Sequence, residues 1–245
     1  MVRLAAADRP DILCLQEVPV WAISRLAGWS SMQAFGDVAQ PPRFGPLPIP
    51  AELGRELTSL HHGLLRSAFS GQANAILVSP DAAVITHERL VLNGREFRDR
   101  EARRLRLGLI TRFAWAKERR VVQAVRARFD ERTVVVANLH ATAYDADQRL
   151  ADAELLRAAT FADGLAEPGD VVVLAGDFNL PPSRSVTQAE LIGDDWGFAA
   201  VAVAGIDRIL VRGASLDGAV RWPPERRNVD DHVLSDHTPV DARIG

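Results

Sequence analysis

Short runs of β-branched and aliphatic residues, bounded by turn formers, recur from one end of this chain to the other. Ile12-Leu13-Cys14-Leu15, Ala75-Ile76-Leu77-Val78 and Thr133-Val134-Val135-Val136-Ala137 are three of them. Val171-Val172-Val173-Leu174-Ala175 and Ile206-Asp207-Arg208-Ile209-Leu210-Val211 are two more. Such runs are short for buried helices and read as strands covered on both faces. Two longer segments, Leu105 to Trp115 and Arg119 to Phe129, alternate in part and are expected to pair as an antiparallel hairpin. Helical periodicity is scarcer. It is clearest over Ala146 to Leu165, where Leu150, Ala153, Leu155, Leu156, Ala159 and Phe161 share one side. Glu52 to Phe69 and Val20 to Ala27 are further candidates. Many strands with few helices predict a single α/β domain over residues 1–245, built on mixed sheets.

Several function classes drop out on composition. The chain has 245 residues, enough for one sizeable core, and 47% are hydrophobic and 25% charged, as in ordinary globular proteins. No apolar run approaches the roughly 20 residues of a membrane span. The first eight residues have no apolar stretch of the secretory kind. Cys14 is the single cysteine and is expected to be a buried structural thiol, in keeping with a reducing cytoplasm. The net charge of -3 does not mark a strongly basic nucleic-acid binder. Arginines 95, 98, 100, 103, 104 and 106 crowd together, either as a phosphate-facing rim or as a solvated loop. The Pro-rich stretch Gln40 to Pro50 is expected to be a surface loop. A monomer is expected.

Polar residues collect where these strands end, the usual place for a site in α/β layers. Gln16-Glu17 follows the first run, Asn138-Leu139-His140 a later one, and Gly176-Asp177-Phe178-Asn179 the next. Asp207 lies inside a strand, and Ser235-Asp236-His237 precedes Thr238-Pro239-Val240. Each has an ordinary explanation when taken alone. Asp177 and Asn179 suit a strand-ending turn, Ser235 and Asp236 suit a turn, and His140 suits a hydrogen-bonded core position. Asp207 is harder to dismiss, because a carboxylate in a buried strand needs a partner. A hard cation would account for the convergence, with Glu17 and Asp236 as oxygen ligands for Mg2+ or Mn2+. There is no zinc spacing, no phosphate-cradling glycine loop and no Gly-x-Ser-x-Gly elbow. Ser235, Asp236 and His237 would make a poor hydrolytic triad, since adjacent residues point in different directions.

The ordered series Asp11 to Glu17, Asn138 to His140, Gly176 to Asn179, Ile206 to Leu210 and Ser235 to Val240 resembles the endonuclease/exonuclease/phosphatase superfamily, the DNase I-like enzymes. The resemblance implies a four-layer α/β sandwich, with two mixed, mainly antiparallel sheets and helices outside. It implies metal-dependent phosphoester hydrolysis, a phosphodiesterase or nuclease ahead of a phosphatase. Glu17 would then hold the metal with Asp236 beside it. Asp177 and Asn179 would orient the attacking water, with Asp177 a candidate base. His237 would contact the phosphate with Asp207 fixing its tautomer, and His140 would act on the leaving oxygen. Arg100 and Asn74 are looser candidates for the substrate phosphate. The partner implied is a phosphoester, nucleic acid among the options.

The family pattern opens with a further strand carrying an asparagine, ahead of a helix that leads to the Glu strand. Asp11 stands ten residues from the first residue, and Arg3 to Arg9 matches the end of that helix. The resemblance therefore places that strand outside this sequence. The alternative reading is a non-catalytic phosphate- or nucleic-acid-binding relative. His61, His62, His87 and His232 match no motif and are expected on the surface or in loops.

Overall fold

A computed structural model describes residues 1–60, 69–200, 205–229 and 232–245. The longer strands are β1 (Ile12–Val18), β2 (Gln33–Gln40), β3 (Gln72–Val78), β4 (Ala83–Val91) and β5 (Val121–Phe129). They continue with β6 (Arg132–His140), β7 (Val171–Asp177), β8 (Asp207–Arg212), β9 (Leu216–Arg221) and β10 (Val240–Ile244). One sheet has six strands, in the order Ala199–Ala200, β8, β7, β6, β5, β4. Within it β6 and β7 run parallel and every other pair antiparallel. The second sheet has the order β1, β3, β2, and β9 pairs with β10 separately. Among the described residues β1 is bonded on one side only.

Alternation along β6 shows how the layers form. Val134 and Val136 join Ile76, Val78, Val125 and Val173 in the core between the sheets. Val135, Ala137 and Leu139 turn the other way, onto Ala151, Leu155 and Ala158 of the helix Arg149–Asp163. A third cluster, with Leu26, Ala73 and Leu77, covers the outer face of the smaller sheet. Helix, sheet, sheet and helix make the four layers expected. Cys14 packs against the core between the sheets, and burial pushes its thiol up to about 12. No described helix is long and apolar enough to cross a membrane.

One expected pairing is wrong. Leu105 to Trp115 is not a strand: Leu109–Lys117 is a helix that follows Gly108. Its apolar residues do not feed a sheet, since Leu109, Ile110 and Phe113 are exposed and Trp115 alone is buried. The partner of β5 is β6, joined through Asp130 and Glu131, with Asp130 in the left-handed region at φ 49°. The arginine-rich segment is likewise no loop, because Arg95–Arg104 is helical. Ala51–Leu60 is the described part of the second expected helix, and its continuation through Leu64 and Leu65 lies outside the described residues. Val20 to Ala27 begins as a 3-10 turn over Val20–Arg25. Gln40 to Pro50 is a surface segment pinned by a small hairpin, Arg43–Phe44 against Leu47–Pro48. His87 lies in β4 with Nε2 2.8 Å from Asp37 Oδ2, while His61, His62 and the His232 side chain lie outside the described residues.

Asn138 fastens the two sheets together. Its amide donates to Leu15 O at 2.9 Å and Ala75 O at 3.0 Å, and its oxygen accepts from Gln16 Nε2 at 2.6 Å. Replacing it with alanine leaves two carbonyls and an amide without partners at a fully buried position. We expect Asn138→Ala to cost about 2–3 kcal/mol, read from the urea unfolding midpoint.

Candidate active site

The faces that bury valine between the sheets carry polar groups where the strands run out. Asn138 and His140 continue the inward side of Val134 and Val136, Asp177 that of Val173 and Ala175, and Asp207 that of Ile209 and Val211. Register aligns them. His140 stands opposite Asp177 across β6 and β7, and Asp177 opposite Asp207 across β7 and β8. Three titratable residues thus sit side by side at one level of the sheet. Gly176 allows the close approach: a Cβ there would lie 2.0 Å from Leu139 O, and its φ is +132°. Beyond it Asp177 Oδ1 accepts from Asn179 N at 2.8 Å, and Asn179 Nδ2 donates to Ala141 O at 2.9 Å. Asn179 takes φ 48°, which asparagine tolerates better than most residues.

His237 arrives from the segment before β10. Its Nδ1 is 3.0 Å from both Asp207 oxygens, and its Nε2 is 3.9 Å from Asp177 Oδ2. The hydrogen bond that its Nδ1–H donates to Asp207 raises its pKa to about 9, so it is an imidazolium at neutral pH. Asp177 is pushed up to about 6, chiefly by burial, with Asn179 N–H opposing and the Asp207 charge adding to the rise. As the spacing implies, Ser235, Asp236 and His237 do not form a triad. Ser235 Oγ and Asp236 Oδ1 accept from the His237 backbone N, while the ring belongs to Asp207.

His140 is the opposite kind of histidine. Burial, then the charges of Arg120 and His237, lower it to about 3. Arg120 Nη1 lies 3.1 and 2.9 Å from its two ring nitrogens, a donor that needs a neutral imidazole to accept. Glu17 Oε1 at 3.9 Å and Asp177 Oδ2 at 3.8 Å from His140 Nε2 are therefore neighbours of a neutral ring rather than ion partners. In an NMR titration we expect His237 to titrate near 9 and, in Asp207→Asn, to fall back toward its ordinary 6.5. His140 should stay neutral down to pH of about 5, since its own transition lies at about 3.

Sequence reading missed Arg120. It is buried, and its Nη2 donates to Glu118 Oε2 at 2.6 Å. It sits among four arginines and a lysine between 117 and 128, and only its inward position opposite His140 distinguishes it. Behind it, fully buried Glu154 accepts from Trp115 Nε1 at 2.5 Å, Thr142 N at 2.7 Å and Thr142 Oγ1 at 2.8 Å. That clasp fixes the turn immediately after His140.

Of four further expected residues, two keep their places and two do not. Glu17 is at the strand end as expected, its side chain 60% exposed and its φ +53° at the irregularity between Leu15 and Val18. Asp236 is exposed beside His237. Asn74 is not at a rim: it is 2% exposed and its amide donates to Val121 O at 3.0 Å, joining the sheets. Arg100 also leaves the group, because helix Arg95–Arg104 turns it onto Glu101 and over the Phe97 ring. The compact set of metal-type ligand atoms among the described residues is Asp177, Asp207 and His237, not Glu17 and Asp236.

The model of the Endonuclease/Exonuclease/phosphatase family matches residues 1–237. The chain belongs to that family. No curated protein matches the sequence. Solved structures of the family's kind superpose over almost the whole chain. The endonuclease/exonuclease/phosphatase from Bacteroides vulgatus is 12% identical at a TM-score of 0.67, covering 100% of this chain and 88% of that one. The human Nocturnin catalytic domain with bound sulfate is 15% identical at 0.61, covering 99% and 86%. D. rerio TDP2 complexed with a single-strand DNA product is 13% identical at 0.62, covering 98% and 90%. At such identities the likeness shows a shared fold. Membership of the endonuclease/exonuclease/phosphatase family places the chain among phosphoesterases.

A divalent cation fits the charge at this site. Glu17, Asp177 and Asp207 converge on one end of the sandwich, and among the described residues His237 is the only side chain ion-paired to Asp207. Arg120 is shared with Glu118 and faces His140. Asp177 is raised chiefly by burial, and the neighbouring Asp207 charge adds to the rise. His237 itself is a poor ligand while its Nδ1 is bound to Asp207 and the ring is protonated, so oxygen donors are favoured.

Proposed function

We propose that this protein hydrolyses phosphodiesters, with nucleic acid ahead of phosphomonoesters as substrate, using Mg2+ or Mn2+. The observation that carries this reading is the pairing of opposite states at one level of the sheet. A protonated His237, held by Asp207, faces Asp177 across 3.9 Å. That separation is longer than a direct hydrogen bond, and an oxygen lying to the side of the line between the two can reach both.

Each residue has a task that its surroundings permit. Asp177 keeps Oδ1 engaged with Asn179 and leaves Oδ2 for a water, whose proton it accepts once ionised. His237 Nε2 donates to a phosphate oxygen and supplies positive charge as charge builds on that oxygen. Asp207 positions that ring. His140, neutral and accepting from Arg120, hydrogen-bonds the leaving oxygen through its remaining ring N–H, and the proton that Asp177 took from the water passes to that oxygen as the ester bond breaks. Glu17 and Asp236 are the carboxylates proposed to hold the cation, with Asp177 next to Glu17 around His140. When bound, the cation lowers the cost of bringing a nucleophile to an anionic ester. Arg100 and Asn74 have no part in this scheme.

The D. rerio TDP2 structure holds single-stranded DNA on this fold, which supports nucleic acid as the substrate class. The test is kcat/KM for a single-stranded oligonucleotide against p-nitrophenyl phosphate, with Mg2+, Mn2+ or EDTA. We expect the diester to be favoured by about 10-fold or more and both rates to vanish in EDTA. A preference for the monoester would remove the nuclease reading.

A further inference from the structure

Outside this site, helices Arg95–Arg104 and Arg149–Asp163 enclose a cavity of about 430 Å³. That is within the roughly 300–1,000 Å³ of small-molecule pockets. Leu90, Phe97, Leu156 and Phe161 give it an apolar wall, and Arg100, Arg104, Arg157 and Glu101 give it charge. None of Glu17, His140, Asp177, Asp207 or His237 lines it.

The charges do not balance. Glu101, nearly buried, takes Arg104 at 2.5 Å and Arg100 at 3.3 Å, so one carboxylate serves two guanidiniums. Arg157 has no carboxylate within ion-pair distance among the described residues. It donates to Leu92 O at 3.3 Å and lies over the Phe97 ring at 4.3 Å, while Arg100 lies over the same ring at 5.4 Å. Burial, then the charge of Arg100, holds the Arg157 pKa below its ordinary value, with the buried Glu154, beyond ion-pair distance, opposing in part. A half-buried cation beside another cation is short of an anion. Beside it, the aliphatic and aromatic wall would shed water onto an apolar body.

We propose that this cavity is a binding site for a small anionic amphiphile: one carboxylate or similar anion carried on an apolar body. The anion is received by Arg157 with Arg100 and Arg104, and the body lies against Leu90, Leu156 and Phe161. The site is independent of the phosphoesterase centre.

Titrating the protein with decanoate, decanol and acetate, followed by amide NMR shifts and calorimetry, tests this. Decanoate should bind with one-to-one stoichiometry, about 10-fold or more tighter than decanol, and acetate should not bind measurably. Arg157→Met keeps the stem over Phe97 and removes the charge, and should weaken decanoate by about 10-fold or more. Leu156→Trp, at a partly exposed position, should block the cavity while leaving the arginines in place. His237→Ala should bind decanoate unchanged. Decanol binding as tightly as decanoate would overturn the proposal, as would full affinity in either cavity variant. Shifts centred on the exposed Leu109, Ile110 and Phe113 would show adsorption to that helix and overturn it too.

Discussion

Replacing His237 with alanine is expected to lower kcat toward phosphodiesters by about 10³-fold, with little change in the urea midpoint. The size follows from what the ring does. In the proposed scheme it is the cationic donor that faces Asp177 Oδ2, at 3.9 Å. Its stability role is small because it is 43% exposed and lies at the mouth of the sandwich. Asp207→Asn should cost less, about 10²-fold, because the imidazole remains but its protonation is lost. The two variants also differ in pH profile. Wild-type activity should rise as Asp177 ionises, at or below about 6, and fall as His237 deprotonates through about 9. In Asp207→Asn the alkaline limb should move down toward 6.5. The linkage has a definite sign. A histidine raised from 6.5 to about 9 contributes stability that is present below 6.5 and lost as pH rises through about 9, and solvent screening keeps that contribution small at a ring 43% exposed. Kinetics across pH 5–10 with melting curves on the same samples check both statements.

Glu154→Ala is expected to have the largest effect on stability, about 3–5 kcal/mol. The carboxylate is fully buried and satisfies three donors at once, the Trp115 indole and the backbone and hydroxyl of Thr142. Truncation strands all three and opens a void against Trp115, which is itself 1% exposed. Glu154→Gln should cost less, since one amide oxygen can still accept from Trp115 and the Thr142 hydroxyl. Its amide nitrogen would then face the Thr142 N–H, so the rescue is partial. Burial raises the Glu154 pKa from 4.5, the Trp115 and Thr142 bonds opposing. The folded state therefore holds this proton more firmly than the unfolded chain does. This residue makes stability fall as pH rises above 4.5, a dependence that Glu154→Gln should abolish. Urea denaturation at two pH values measures both effects. Because Thr142 follows His140 by two residues, Glu154→Ala should also slow catalysis.

Residues that carry both the strand pattern and the chemistry were legible in the sequence. Val134 to His140 shows an inward side of valines that ends in Asn138 and His140, and Val171 to Asp177 repeats the device. Asp207 was conspicuous as a carboxylate in an apolar strand, and its partner His237 was foreseen. The misreadings share one cause, that local pattern does not show which neighbour covers an apolar residue. Leu109, Ile110 and Phe113 look like sheet residues but are exposed on a helix, and tertiary context overrode their β-propensity. Asn74 and Arg100 have the right chemistry for phosphate, yet one is consumed between the sheets and the other by Glu101. Arg120 and Glu154 could not be singled out, because charged residues are common and only burial against His140 and Thr142 marks these two.

The central claim is that Asp177, His237 and Asp207 form a cation-assisted phosphodiesterase centre. Hydrolysis of bis(p-nitrophenyl) phosphate by the wild type and by His237→Ala, each with Mn2+, Mg2+ or EDTA, tests it most directly. Turnover with a divalent cation, none in EDTA, and a loss of about 10³-fold in His237→Ala are expected. Turnover that persists in EDTA, or that His237→Ala leaves intact, would contradict it.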